Sequence, residues 1–563
     1  INDNAYTEPL RYYTEAGSFP GQNGDTMIFS QPIAVLPNPD GSNWVLAYGS
    51  NELLLLDVNG FVINRTNGAF NGFDRPFDLL RAHDGSLLVS EFAGDRISRF
   101  DKNAHFIAAF GAKGIGLGEL VGPQFLAQDS DGNIFVTDFG NARVDVFDQD
   151  GKPLFFFGGK NADFAGFQAP TGIAYSDGFI FVADALTGAV YRFDTAGNYL
   201  GLLCRENTFV SPEAMKVWGN YLVLCDKNHV YSIDSSTGAV TENLNTGNAP
   251  SHVTCAVPDA NGNVLVSDFV SNEVYVTSRR AEIVGGLFVQ IERVVADSFP
   301  KVTLEVKVEN RHRQSIVGLK DVNFFVTENK SPVTNLVFEG ASSVNDSADI
   351  TLLIDRTTHS RYREAIELAV QELARAMDGK GTLRVISAAS QPVLEYEGSP
   401  RGCEEFSMRA LKTPEAQVCK LDSAFRLAAN GLINGEKKRA IVLIGEGAVS
   451  QTAFTTYGLS DISAYLNNNS IALSYIAVTQ GTADRELMYL IDNTEGFDYY
   501  VYREQGLSAV VSDIISIPSG MYRLSYTSSL PTQFGQAYLP VEVETYLLNR
   551  SGRDETGYFA PLQ

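Results

Sequence analysis

Side chains able to do chemistry are few in this chain of 563 residues, which carries only six histidines and five cysteines. Cys204, Cys225, Cys255, Cys403 and Cys419 form no C-x-x-C and no zinc-like spacing. Cys403 and Cys419 flank a polar stretch, CEEFSMRALKTPEAQVC. A disulfide closing that loop would favour an oxidising compartment, and two unrelated free thiols are the alternative. No G-x-S-x-G elbow, H-E-x-x-H pair or P-loop occurs. One stretch stands out: LLIDRTTHSR, 352–361, sets a carboxylate (Asp355), a hydroxyl (Thr357) and an imidazole (His359) at alternate positions behind an apolar run. Whether they act together depends on the elements that position them.

Length alone implies several domains, because single cores stop growing well below this size. The composition, 44% hydrophobic and 20% charged, is that of an ordinary globular protein. A formal charge of −24 argues against nucleic acid, which needs a basic face, and against anionic lipid. No apolar run is long enough for a transmembrane helix. The sequence opens on Ile1, so any signal peptide or lipid anchor would lie outside it.

The first half repeats itself. GPQFLAQDSDGNIFVTDFGNARVDVFDQDGKPLFFFG (122–158) and APTGIAYSDGFIFVADALTGAVYRFDTAGNYLGLL (169–203) share one order: proline, apolar strand, Asp-Gly turn, alternating strand, polar turn, alternating strand. The proline recurs at Pro32, Pro76, Pro123, Pro170, Pro212 and Pro250, at intervals of 38 to 47 residues. Period-two alternation marks half-buried strands, and turns such as DSDGN (129–133) and DANGN (259–263) tolerate positive φ without needing an ion. Four short strands repeated six times give blades around an axis. These units resemble NHL repeats, which implies a six-bladed β-propeller over 30–283. Residues 1–29 are expected to pair with the sixth blade and close the ring, removing exposed strand edges.

Some propellers of this kind carry an axial metal and act as hydrolases or lyases. Such a site needs convergent ligands from the innermost strands. The residues two beyond each proline are Ala34, Asp78, Phe125, Gly172, Ala214 and His252. Only Asp78 and His252 could ligate, with Gln124 and Glu213 as polar neighbours. A hydrogen-bonded pair or a solvated channel wall is the simpler expectation for Asp78 and His252.

After residue 284 the pattern changes. Alternation at Val302, Leu304, Val306 and Val308, and again in YRLSYTSSLPTQFGQAYLPVEVE, reads as a β-sandwich split into 284–345 and 519–563. Between them, strands alternate with helices, which signals a parallel sheet. SADITLLIDRTTHSRYREAIELAVQELARAM, KLDSAFRLAANGLINGEKKRAIVLIGEG and IALSYIAV resemble a von Willebrand factor A domain spanning 346–518 and inserted in an immunoglobulin-like sandwich. Ile366, Val370, Leu373 and Met377 would line the buried face of its first helix, with Ser360 as N-cap. The resemblance implies a magnesium site built on D-x-S-x-S, a threonine and a later aspartate. Asp355 and Thr357 match it, whereas His359, Cys419 and Glu446 stand where Ser, Thr and Asp are expected. Histidine and cysteine suit zinc better than magnesium. A lost metal is the expectation, so no cofactor is expected, a divalent ion being the exception left open. The fold class is thus an all-β propeller plus a β-sandwich with an inserted α/β domain. The expected function is that of a non-enzymatic, extracytoplasmic binding, adhesion or scaffold protein with a protein or glycan partner. A propeller hydrolase or lyase docked by its A-like domain, and a structural scaffold of a cell-envelope assembly, are the alternatives.

Overall fold

The computed structural model describes all residues except 1–12, 70, 248–249, 313, 342–346, 434–437, 470, 481–482, 495, 504–505, 517–519, 532–536 and 562–563. The expected domain borders near 345 and 518 fall outside the described residues. The chain divides into two compact units: Ile1–Leu287 with Val317–Phe324 and Thr545–Gly552, and Phe288–Ile316 with Phe325–Glu544 and Arg553–Gln563.

The first unit is a β-propeller of six four-stranded antiparallel sheets. Its innermost strands are Pro32–Pro37, Pro76–Arg81, Pro123–Gln128, Pro170–Ser176, Pro212–Trp218 and Val253–Pro258. Each neighbours the next and the last neighbours the first, so they form a ring. The layers follow from the side chains. Second strands such as Ile134–Asp138 are buried throughout, while fourth strands such as Val62–Thr66 face solvent. The sixth sheet takes its fourth strand from Tyr13–Pro20, which pairs antiparallel with Glu273–Arg279. A circle sealed by the N-terminal segment leaves no blade with an unpaired third strand.

Aspartates make the turns. Asp129 Oδ1 accepts from the amides of Asp131 and Asn133 at 3.0 and 2.8 Å, and Oδ2 accepts from Asn133 Nδ2 at 2.9 Å. Asp259 holds Asn261 and Asn263 in the same way. Their carboxylate oxygens are occupied by their own turns. One buried cation organises a longer connection. Arg143 meets Asp145 at 2.7 Å and Asp138 at 3.5 Å, and its guanidinium donates to the carbonyls of Ile115, Gly116 and Glu119.

The second unit contains two four-stranded sheets and one six-stranded sheet. The strand Lys301–Glu309 pairs antiparallel with Met521–Thr527, so segments from either side of the middle region share one sheet. That sheet faces another through a buried carboxylate: Glu328 accepts from Tyr526 Oη at 2.8 Å, Tyr558 Oη at 2.7 Å and Ser528 Oγ at 2.7 Å. With all three donors satisfied, the charge is tolerable in the core.

The six-stranded sheet comprises β1 (Ala348–Asp355), β2 (Leu383–Ala388), β3 (Val393–Gly398), β4 (Lys438–Gly445), β5 (Ile471–Ala477) and β6 (Asp498–Tyr500). Its order is β3-β2-β1-β4-β5-β6, parallel except for the β2–β3 pair. Helices α1 (Arg363–Ala376), α2 (Leu421–Leu432), α3 (Leu459–Asn468), α4 (Arg485–Asn493) and α5 (Ser508–Ser516) cover it. The core on one face joins α1 and α5, with Ile366, Val370, Leu373 and Met377 buried there. The core on the other face joins α2, α3 and α4. Right-handed crossovers from a central strand require this two-sided cover, and every residue of β1 is buried.

The sheet also corrects the expected Cys403–Cys419 disulfide. Cys403 packs in the α1–α5 core and Cys419 in the α2–α4 core. The sheet lies between the two thiols, and all five cysteines are free and buried. The helix start differs as well. His359, with φ −60° and ψ 136°, caps the turn Ser360–Tyr362 by accepting from the Arg361 amide at Nδ1, so the cap is one residue earlier than Ser360.

Candidate functional sites

Strand register regroups the residues expected on the propeller axis. Pro76 lies opposite Glu91 and Pro212 opposite Asp226, each at the start of an innermost strand. In the sixth blade the residue opposite Asp268 is Val253, not Pro250. The level of Asp78 is therefore occupied by Cys255, and His252 lies just before its strand, at one end of the channel. Proline spacing misplaced it because Pro250 belongs to the incoming connection, where nothing ties a proline to the strand start.

Asp78 is 1% exposed and is bound by a residue that sequence reading missed. Lys216 Nζ lies 2.7 Å from Asp78 Oδ1 and 2.9 Å from Oδ2. Asp78 Oδ2 also accepts from the Leu126 amide at 3.0 Å, and the Asp78 amide donates to Ser90 Oγ at 2.9 Å. Second and fifth blades are opposite in a ring of six, so this ion pair crosses the channel. Burial is the largest influence and works against the Lys216 ammonium, but the charge of Asp78, its hydrogen bond and the nearby Cys255 and Cys225 together outweigh it, and the lysine pKa is raised. The only sequence signal was a lone lysine inside the apolar strand PEAMKVW.

Glu213 and His252 form a separate pair, with Glu213 Oε1 2.7 Å from His252 Nε2. Their side chains are 22% and 35% exposed, so solvent reaches both. The hydrogen bond to Glu213 outweighs partial burial and raises the histidine pKa. Phe269 meets the imidazole edge-on at 5.9 Å, and Asp268 accepts from the His252 amide at 3.1 Å. Such a pair can accept or release a proton near neutral pH. Gln124 is buried, and its Oε1 has no hydrogen-bond partner among the described residues. The four expected axial residues thus separate into Asp78 with Lys216, Glu213 with His252, and Gln124 apart.

In the second unit the expected residues do come together. Strand order reverses between β1 and β4, and open α/β sheets form a crevice beyond the carboxyl ends of such strands. Asp355 ends β1, and Glu446 follows Gly445 at the end of β4. Asp355 Oδ1 accepts from the Thr357 amide at 2.9 Å and from Thr357 Oγ1 at 2.7 Å. The Cys419 thiol lies beside the Asp355 carboxylate. Glu446 Oε2 accepts from the His359 amide at 2.7 Å. Burial raises the Asp355 pKa; the Thr357 bonds oppose this and the Glu446 charge adds to it. Burial, with Asp355 beside it, pushes the Cys419 thiol far above its ordinary range.

These donors do not fit the magnesium site implied by sequence resemblance. Magnesium requires near-octahedral oxygen ligands. Here Cys419 and His359 offer sulfur and nitrogen where oxygen ligands are expected, and His359 Nδ1 accepts from the Arg361 amide. Among the described residues, no group of three or more His, Cys, Asp or Glu is disposed to hold a metal ion.

The class defined by the first unit is that of β-propellers; the NHL repeat model matches residues 120–147, in the third blade. No curated protein matches the chain. Among solved structures, a streptogramin B lyase is 17% identical over 46% of this chain and 83% of its own, with a TM-score of 0.36. A virginiamycin B lyase from Staphylococcus aureus is 14% identical over 47% and 99%, with a TM-score of 0.35. A gluconolactonase from Xanthomonas campestris is 16% identical over 48% and 99%, with a TM-score of 0.37.

Proposed function

We propose that the protein is a non-enzymatic binding or adhesion protein that acts outside the cytoplasm and engages a protein or glycan partner through the propeller loops. The observation that carries this reading is an asymmetry between the two ends of the propeller. Connections entering the innermost strands, and those joining second to third strands, lie at the His252 end. They expose Ile115 (78%), Leu186 (72%), Val210 (69%) and Val270 (54%). The other end is built mainly of Asp, Asn and Gly turns such as 129–133 and 259–263, and exposes fewer large apolar side chains, Phe61 (61%) among them. Apolar side chains concentrated on one face mark a surface that is covered in use. The Asp78–Lys216 pair across the channel supports the non-enzymatic reading, because it neutralises the acid a catalytic metal would need.

The six-stranded unit enters this reading as a von Willebrand factor A-like domain whose changed ligand set replaces ion-mediated contact. Placement outside the cytoplasm rests on that combination of domains. With free thiols, the cysteines add nothing to it. Site-specific photo-crosslinking tests the propeller face. A benzoylphenylalanine at position 186 should yield an adduct of one discrete mass on intact cells of the source, and the same probe at position 131, in a turn at the opposite end, should not. Equal adducts, or none at 186, would overturn the reading.

The solvent-reached Glu213–His252 pair favours a second reading, a hydrolase or lyase working at the propeller mouth. Loss of a turnover activity in His252→Ala, with the adduct at 186 unchanged, would favour it.

A further inference from the structure

The crevice at the end of β1 and β4 is acidic and shaped from below by glycine. We propose that it binds a cationic side chain, arginine or lysine, presented by a protein partner, with Asp355 and Glu446 as the counter-charges and no metal between them. This rests on the partner-binding reading above and names the chemistry of a second contact.

Three observations lead there. The charge of Glu446 reaches Asp355, so two acids share one crevice with no basic side chain hydrogen-bonded to either carboxylate among the described residues. Arg356, the adjacent cation, is directed elsewhere: its guanidinium donates to the Thr413 carbonyl at 2.9 Å and approaches Met408 Sδ at 3.7 Å.

Second, Thr358 is 7% exposed and its Oγ1 has no hydrogen-bond partner among the described residues. A buried hydroxyl left unpaired costs about 1–3 kcal/mol, so it points to a group supplied from outside. Third, the absence of a side chain at Gly445 lets both groups approach its backbone closely. A Cβ there would lie 3.0 Å from Asp355 Cβ, 3.1 Å from Thr358 Oγ1 and 3.5 Å from Asp355 Oδ2. The unpaired hydroxyl and the aspartate therefore border the same glycine at the end of β4. A guanidinium carries five donors and no acceptor, which matches two carboxylates and a hydroxyl acceptor. An acidic partner would add like charge to a chain already at −24. Glu446 is partly exposed and would meet the cation first.

The test uses the full chain and two capped heptapeptides, each with a central arginine or glutamate between triglycine arms. Binding is read from the His359 imidazole resonances, with magnesium and with chelator. The arginine peptide should shift them saturably and equally under both conditions. Glu446→Gln should weaken it about tenfold, and Thr358→Val should weaken it to a smaller but measurable degree. Glutamine still accepts from the His359 amide, so an unchanged amide resonance certifies the fold. Absence of arginine-peptide binding, binding untouched by E446Q, or preference for the glutamate peptide with magnesium would each overturn the proposal. The photo-crosslink at position 186 reads the propeller surface alone, so its loss and the loss of peptide binding are separable.

Discussion

Lys216→Met tests the ion pair that crosses the propeller channel. The substitution keeps most of the side-chain volume and removes the ammonium, leaving Asp78, 1% exposed, with the Leu126 amide as its remaining partner in place of Lys216. Removing one member of a buried pair typically costs about 3–5 kcal/mol, because the remaining charge is uncompensated. A unit of this size loses roughly 2–4 °C of melting temperature per kcal/mol. The drop should therefore fall between about 6 and 20 °C. Asp78→Asn in the same background removes the stranded charge, while the amide oxygen still accepts from Leu126. The double variant should recover most of the loss, giving a coupling of at least about 2 kcal/mol. The readout is selective, since both tryptophans of the chain, Trp44 and Trp218, belong to propeller strands. Thermal unfolding followed by tryptophan fluorescence therefore reports the first unit and not the second. A cost below about 1 kcal/mol for Lys216→Met, or strict additivity of the two changes, would refute a functional pairing across the axis.

Two more outcomes follow from the same coordinates. With five buried free thiols, alkylation without reductant should add five labels in denaturant and almost none in the native protein; three labels would restore a disulfide. Burial pushes the Asp145 carboxyl up to about 7 from 3.8, with Asp138 beside it. The fold then keeps a proton that the unfolded chain releases, so propeller stability should decline as pH rises from about 4 through 7. Asp145→Asn should flatten that slope, and a wild-type protein gaining stability across the window would contradict the assignment.

Much of the fold was legible because its causes are local. Period-two alternation, Asp-Gly turns and recurring prolines specify strands and turns within a few residues of themselves, and six copies make the arrangement around an axis inevitable. Strand–helix alternation in the second half reads out for the same reason, and Ile366, Val370, Leu373 and Met377 do line the buried face of α1. Pairing across a sequence gap was not legible. Lys216 reaches Asp78 across 138 residues, and its strand carries no mark of that destination. His252 was set at the level of Asp78 by counting from a proline, whereas backbone pairing fixes the level from Val253. Cys403 and Cys419 are separated by 16 residues yet lie on opposite faces of one sheet, which spacing cannot reveal.

The sequence by itself determined the repeat and the strands and helices. Those follow from residue type and short-range order. Only the tertiary structure decided what each side chain is spent on: Asp78 on Lys216, Glu213 on His252, and Asp355 on Thr357. A charged or polar group has many acceptable partners in the abstract. Burial selects one, because a group removed from water must be satisfied by whatever the fold has placed within hydrogen-bonding distance.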